Sequence, residues 1–182
     1  MGSILNPGAR IASVSGSVTD RRHEFAEIAA YEAVEYITGD YMSEYNMTTR
    51  GGAKTSNGVD VSSSEHEDCF LESILPALGD LARRRIKVAV NAGASDTRKL
   101  YETLQAEIAA RQLDLRVAWV EGDEVMEAVS KAIDSGSEFK SLTTGKALKD
   151  WSYKPVYAQC YLGAFGIVEG FNQGADTVVC GR

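Results

Sequence analysis

The chain of 182 residues is long enough to form one domain with a sizeable core. Its 26 acidic residues outnumber its 19 basic residues, and the net charge of −7 argues against a protein that binds nucleic acid or anionic membrane surfaces. No apolar run approaches the roughly 20 residues of a membrane helix. Three cysteines without a C-x-x-C motif or a secretory signal predict reduced thiols in a cytoplasmic protein.

Short apolar runs and longer periodic segments alternate along the chain. The apolar runs predict six strands, at residues 10–15, 33–40, 86–92, 115–121, 156–161 and 177–180. Apolar residues at helical spacing predict the helices between them, with Phe25 and Ile28; Phe70, Ile74, Leu78 and Leu81; Leu100, Leu104 and Ile108; Val125, Met126, Val129 and Ile133; and Phe165, Val168 and Phe171. This order predicts an α/β fold, a mostly parallel sheet of about six strands with helices on both faces, Rossmann-like and doubly wound. A fragment of a closed barrel is the alternative.

The ends of the predicted helices carry their own signals. Asp96 and Asp123 are placed to cap helices. Residues 64–67 read Ser-Glu-His-Glu, which predicts a capping box, and Pro76 should divide the helix behind it. Residues 48–63 are rich in Gly, Ser, Thr and Asn without any period, and predict a flexible loop or an insertion.

The closing stretch, residues 158–182, reads AQCYLGAFGIVEGFNQGADTVVCGR. Its Tyr-Leu-Gly-Ala turn, Ile-Val-Glu helix and Gly-Ala-Asp strand ending in Cys-Gly-Arg resemble the acyclic terpene utilisation family, AtuA-like proteins formerly described as a domain of unknown function. The segment 37–41 with Glu44, the pair Asp20-Arg21, and the Asn-Ala-Gly and Glu-Gly-Asp patterns at residues 91 and 121 are also similar to the family. Thr19 departs from the family's usual glycine.

The resemblance implies a single α/β domain over residues 1–182 that is the N-terminal part of a longer family domain. The family is named for bacterial citronellol and geraniol breakdown. The resemblance therefore implies an enzyme, or a truncated enzyme, acting on a small carboxylate, carbonyl or acyl-coenzyme A substrate. A lyase, hydratase or hydrolase activity would suit it. An incomplete gene model without a function of its own is a further interpretation.

Polar residues and glycines follow each predicted strand. They are Ser15, Gly16, Asp20 and Arg21; Thr38, Gly39, Asp40 and Glu44; Asn91 and Gly93; Glu121, Gly122 and Asp123; Tyr161 and Gly163; and Arg182. Because parallel strands end at one edge of a sheet, we expect these residues to meet in one crevice that binds the substrate.

The candidate catalytic residues are Asp40, Asn91, Glu121 and Asp123. Asp40 and Glu121 end apolar strands, where a carboxylate needs a partner. Asp123 is either a helix cap or an acid, and Asn91 either forms a turn or orients substrate. Such carboxylates could shuttle protons beside a carbonyl, or hold a divalent cation such as Mg²⁺ or Ca²⁺. Arg182 would pair with an anionic group.

Other interpretations compete with this one. Cys180 is either a nucleophile or a small hydrophobic residue of a buried strand. His23 and His66 are predicted to be solvated residues at helix starts, and they cannot form a zinc set. A non-catalytic protein is the second hypothesis. It would form a homo-oligomer, or would be completed by a partner chain along its open sheet edge.

Overall fold

The computed structural model describes residues 8–15, 20–55, 66–152 and 154–182. The strands are β1 (Ile11–Ser13), β2 (Tyr36–Gly39), β3 (Lys87–Val90), β4 (Val117–Val120) and β5 (Thr177–Cys180). The α-helices are α1 (Glu24–Tyr31), α2 (Glu44–Thr55), α3 (Asp68–Ile74), α4 (Leu78–Arg84), α5 (Thr97–Ala110), α6 (Met126–Asp134) and α7 (Phe165–Asn172). Two 3₁₀ turns cover Leu75–Ala77 and Leu148–Asp150.

The strands form one open sheet in the order β1-β2-β3-β5-β4, and every neighbouring pair is parallel. The last strand, β5, lies between β3 and β4, so the final segment of the described chain occupies the middle of the sheet. The predicted α/β fold with a parallel sheet is confirmed. All five strands therefore direct their carboxyl ends to the same edge.

Helices cover the two faces of the sheet unequally. On one face, α1, α3, α4 and α5 pack over Ile37, Val88 and Val179, and this face forms the main core. On the other face, α7 lies against β4 and β5. A Cβ added to Gly166 of α7 would come 2.6 Å from Cγ1 of Val120, so the helix approaches the sheet more closely than a side chain allows.

The prediction of a fifth strand at residues 156–161 is wrong. In that segment Gln159 forms an isolated antiparallel bridge with Glu124, and no named strand includes it. Val156 is 59% exposed, so the segment has no buried face to pair within the sheet. It crosses the carboxyl edge instead, where the Gln159 side-chain amide donates to the carbonyl of Ala94 at 2.8 Å.

The prediction of a loop at residues 48–63 is also wrong for residues 48–55, which belong to α2. Threonine hydroxyls in this helix donate back to carbonyls one turn earlier, as Thr48 does to Glu44 at 2.8 Å. A buried pairing with Glu67 then fixes Arg50 of the helix. Tertiary contacts thus outweigh the low helix propensity of the sequence. Residues 56–63 lie outside the described residues.

Two predicted helix signals are confirmed. The Asp96 carboxylate accepts the backbone N–H of Lys99 at 2.9 Å and caps α5. Pro76 lies in the 3₁₀ turn that separates α3 from α4. The predicted capping box begins at Ser64, outside the described residues, and its far member Glu67 makes no side-chain cap bond to α3.

The prediction that His66 is solvated is wrong. His66 is only 5% exposed, whereas the side chain of His23 is 62% exposed, as expected. Burial lowers the pKa of His66 below its usual value of 6.5, although Asp68 and Asp96 act in the opposite direction. Its Nδ1 has no hydrogen-bond partner among the described residues.

We expect the free energy of unfolding to fall as the pH drops below 6.5. The unfolded chain takes up a proton on His66 there, while the folded chain resists it, so stability is lost by at most about 1.4 kcal/mol per pH unit. Urea unfolding between about pH 7.5 and 5.5 measures this, on either side of the ordinary histidine pKa. His66→Gln should flatten the dependence and His23→Gln should not. An unchanged slope in His66→Gln would contradict the prediction.

Candidate functional site

A cavity of about 500 Å³ opens at the carboxyl edge, where β2, β3 and β5 end. We call it the edge cavity. It is lined by residues 40–46 and by Asn91, Tyr161 and Arg182. Asp40 and Asn91 each follow their strand directly, and Arg182 lies two residues beyond β5. Parallel pairing thus brings together residues that are 51 and 91 positions apart in the chain, as counted from Asp40 to Asn91 and from Asn91 to Arg182.

Asn91 orients Asp40. Its side-chain nitrogen donates to Oδ1 of Asp40 at 2.6 Å, and its side-chain oxygen accepts the backbone N–H of Tyr41 at 2.6 Å. The backbone N–H of Met42 also donates to Oδ1 of Asp40, at 3.3 Å. No described residue donates to the second carboxylate oxygen, Oδ2, so one oxygen is held and the other is available to a ligand.

Arg182 supplies a cation beside Asp40. Its side chain is 13% exposed, and its Nη1 donates to the carbonyl of Met42 at 2.8 Å. Its Nη2 donates to Glu44 at 2.7 Å and to the hydroxyl of Tyr161, whose ring lies 4.6 Å from the guanidinium carbon. The hydrogen bond to Tyr161 raises the pKa of Arg182, and the charges of Glu44 and Asp40 raise it further. Arg182 therefore stays protonated.

A second cavity of about 350 Å³ contains Glu121 and Gly122. It is lined by residues 94–98 at the start of α5, by residues 121–124 and by Tyr157. Glu121 accepts the indole N–H of Trp119 at 3.1 Å. The structure thus divides the predicted residues between two cavities, because β5 and the residues after it stand between β3 and β4.

Asp123 belongs to the lining of the second cavity and is only 6% exposed. Its Oδ2 accepts the backbone N–H of Arg182 at 2.9 Å and the side-chain amide of Gln159 at 2.6 Å. A Cβ on Gly181 would lie 2.1 Å from the same oxygen, so only glycine fits there. The prediction that Asp123 caps a helix is wrong, since α6 begins at Met126 with Val125 as its N-cap. Asp123 anchors the Gly181-Arg182 backbone.

We expect Asp123→Ala to lower the free energy of unfolding by about 1–3 kcal/mol, because two part-buried donors lose the acceptor that Asp123 provides. Asp123→Asn should cost clearly less, since its amide oxygen can accept both bonds. Urea denaturation of the two variants measures the difference. Equal losses in the two variants would show that the charge of Asp123, rather than its acceptor geometry, holds Arg182.

The other predicted residues that the structure describes line neither of these two cavities. The carbonyl of Ser15 accepts the backbone N–H of Asp40 at 2.8 Å, and the N–H of Gly93 donates to the carbonyl of Cys180 at 2.9 Å. Both contacts fix the strand ends. The hydroxyl of Thr38 donates to the carbonyl of Ala12 at 3.4 Å, and Gly39 packs against the ring of Tyr41. The carbonyl of Asp20 accepts a hydrogen bond from Arg22. Gly163 has a φ of +71°. Arg21 pairs with Glu24 at 3.3 Å at the start of α1, and Gly16 lies outside the described residues.

Of residues 41–46 in the lining of the edge cavity, sequence reasoning predicted Glu44 and missed the other five. Tyr41 is 4% exposed, and burial raises its pKa to about 12. Asn46 is 7% exposed and donates to Glu67 at 3.2 Å. The spacing of Asn46 and Arg50, one helical turn apart, was the available signal, because both point to the same face.

Cys180 and the metal hypothesis receive little support from the geometry. The thiol of Cys180 donates to the carbonyl of Val90 at 3.4 Å, and burial raises its pKa to about 11, which suits a small hydrophobic residue better than a nucleophile. In the part of the chain that the structure describes, no three His, Cys, Asp or Glu side chains are grouped to hold a metal ion. We therefore assign no step to a metal.

The comparison with known families agrees with the closing stretch and with the residues around Asp40. The model of the acyclic terpene utilisation family protein AtuA matches residues 9–182. The chain belongs to this family. The AtuA match includes Asp40, Asn91 and Arg182, and it confirms the resemblance seen in the sequence. Searches of curated proteins and of solved structures give no match. Among the described residues, no helix has the length and apolar character needed to cross a membrane.

Proposed function

We propose that this AtuA family chain is an enzyme that transfers a proton at an atom next to a carbonyl group of a small substrate in the edge cavity. One observation carries the proposal. Asp40 lines the cavity with one oxygen held by Asn91 and no described donor at the other, and a protonated guanidinium stands beside it. A general base with a nearby cation is the arrangement that carbonyl chemistry requires.

Each residue has a role in this proposal. Asp40 takes the proton from the substrate or returns it. Asn91 and the backbone N–H of Met42 keep Asp40 oriented. Arg182 stabilises negative charge on the substrate oxygen or binds an anionic group of the substrate. The cavity of about 500 Å³ is of the size that small-molecule ligands occupy in proteins.

The family description, acyclic terpene utilisation, favours substrates derived from such compounds. We therefore infer branched carboxylic acids or their coenzyme A thioesters as the substrate class. In these compounds a carbonyl carbon carries an adjacent C–H or C–OH group, at which proton transfer supports hydration, elimination or bond cleavage.

Deuterium exchange tests the proposal without knowledge of the product. The pure protein is incubated in D₂O with citronellate, geranate, 3-methylbutanoate and the thioester of each with coenzyme A. Proton NMR then follows the signals next to each carbonyl. We expect loss of these signals for at least one compound, faster than in protein-free samples. Absence of exchange and of any new product across the panel would contradict the proposal.

A non-catalytic partner is the second candidate, and a part of the sheet face that the described residues leave exposed favours it. Ile11 is in register with Tyr36, whose ring meets Phe171 of α7 at 6.0 Å, so Ile11 lies on the α7 face and is 62% exposed there. Phe165 of α7 is 89% exposed and Val168 is 52% exposed. Parallel sheets are normally covered on both faces. We propose that a second copy or another chain packs on this surface.

Light scattering over a range of protein concentrations tests the homo-oligomer. We expect a dimer or larger species that Phe165→Ser weakens, because the change removes an exposed apolar ring. Lys131→Ser, on the exposed surface of α6, is the control and should leave the mass unchanged. A monomer at every concentration would reject the homo-oligomer, and deuterium exchange catalysed by that monomer would reject the non-catalytic candidate.

A further inference from the structure

The guanidinium of Arg182 donates to three partners in the wall of the edge cavity. The backbone carbonyl of Met42, a residue that is 4% exposed, anchors it, and the more exposed Tyr161 adds its hydroxyl and its ring at 4.6 Å. The third partner is the carboxylate of Glu44, at 2.7 Å. Its side chain is 82% exposed, against 13% for Arg182. A well-exposed carboxylate thus occupies one edge of a mostly buried guanidinium.

This ion pair is easily broken. A carboxylate that is 82% exposed gains little from such a pair, because water and salt screen it and ordering its side chain costs entropy. Glu44 is also the first residue of α2, where a carboxylate stays favourable without Arg182 because it faces the positive end of the helix. Release of Glu44 therefore costs little, and the edge of Arg182 that it leaves can form the same bond to another anion.

We propose that the carboxylate of Glu44 occupies the side of the Arg182 guanidinium that binds anions, and that the anionic group of the substrate displaces this carboxylate. This inference rests on the proposed function and makes Glu44 a specificity-determining residue. The entering anion must outcompete an attached carboxylate, so weakly binding anions are rejected. Asp40 lies close enough to raise the pKa of Arg182, so it repels a second negative charge. The site beside Arg182 therefore accepts one anionic group of the ligand.

Binding of three small probes to the full chain tests the inference. The probes are 3-methylbutanoate, inorganic phosphate and the neutral amide 3-methylbutanamide, each titrated by NMR. Glu44→Gln should lower the Kd for an anionic probe about two- to fivefold, because an exposed pair of this strength no longer competes. The Kd for the amide should not change. Whether the carboxylate or the phosphate gains more identifies the kind of anion that the edge takes.

Glu127→Gln is a matched control. Glu127 lies in the first turn of α6, its side chain is 83% exposed, and it pairs with Lys131 at 2.5 Å, so the variant removes the same charge in a similar setting. An equal gain in Glu127→Gln, an equal gain for the amide, or no gain for either anion would overturn the inference. Deuterium exchange reports separately on the proposed chemistry. If no deuterium exchange occurs but Glu44→Gln binds anions more tightly, proton transfer is rejected and the anion-binding role of Arg182 is retained.

Discussion

Replacing Asp40 by Asn is expected to lower turnover of any substrate found by deuterium exchange by about 100-fold or more, the usual contribution of a general acid or base. Asn keeps an oxygen that can accept the bonds from Asn91 and from the backbone N–H of Met42, which Asp40 makes at 2.6 and 3.3 Å. It replaces the other oxygen by a nitrogen that cannot take up a proton. The fold should therefore survive while the chemistry is lost.

The control for this variant is Asp114→Asn. The side chain of Asp114 is 95% exposed and lies ahead of β4, at the amino edge of the sheet, far from the edge cavity. Asp114→Asn should leave both turnover and stability unchanged. Circular dichroism and urea unfolding confirm that both variants are folded. Full turnover in Asp40→Asn would remove Asp40 from the mechanism.

Glu67→Ala is expected to lower the free energy of unfolding by about 3–5 kcal/mol, the usual cost of removing one member of a buried ion pair. The side chain of Glu67 is 1% exposed. Its two oxygens accept from Nε and Nη2 of Arg50 at 3.1 and 3.0 Å, and one also accepts from Asn46 at 3.2 Å. Without Glu67 the half-buried Arg50 and the buried Asn46 lose their acceptor.

The loss of Glu67 should also disturb the edge cavity, because Asn46 lines this cavity and its side chain accepts the hydroxyl of Ser43 at 2.5 Å. Glu102→Ala is the control. Glu102 pairs with Arg98 on the exposed surface of α5, and its loss should cost no more than about 0.5 kcal/mol. Urea unfolding compares the two. Similar costs would show that the Glu67 pair contributes no more than a surface contact.

The alternation of strands and helices was predictable from short-range pattern. Strand cores such as residues 88–90 and 117–119 are apolar without alternation, which indicates burial on both faces of a parallel sheet. The predicted strands were longer than β3 and β4, partly because the buried apolar residues Ile86 and Leu115 lie ahead of the first paired residues of these strands. The bounds of β5 agree with the prediction, since Gly and polar residues flank that run closely.

Asp40, Asn91 and Arg182 were predicted to meet because each follows a strand, and the parallel sheet brings them to one cavity. Glu121 follows a strand in the same way, yet it lines a different cavity. The sequence does not contain the strand order, so it could not show that β5 separates β3 from β4. For the same reason it could not distinguish Asp123, a buried anchor, from a helix cap.

The sequence by itself determined the fold class, the family and the edge of the sheet at which polar residues collect, because these depend on local periodicity and on motifs between neighbouring residues. Only the tertiary structure decided which polar residues share a cavity and which are buried. The helix formed by residues 48–55, the burial of His66 and the pair of Arg50 with Glu67 all depend on contacts between distant segments. Such contacts can stabilise a segment in a conformation that its intrinsic propensity disfavours, and the local sequence pattern does not show them.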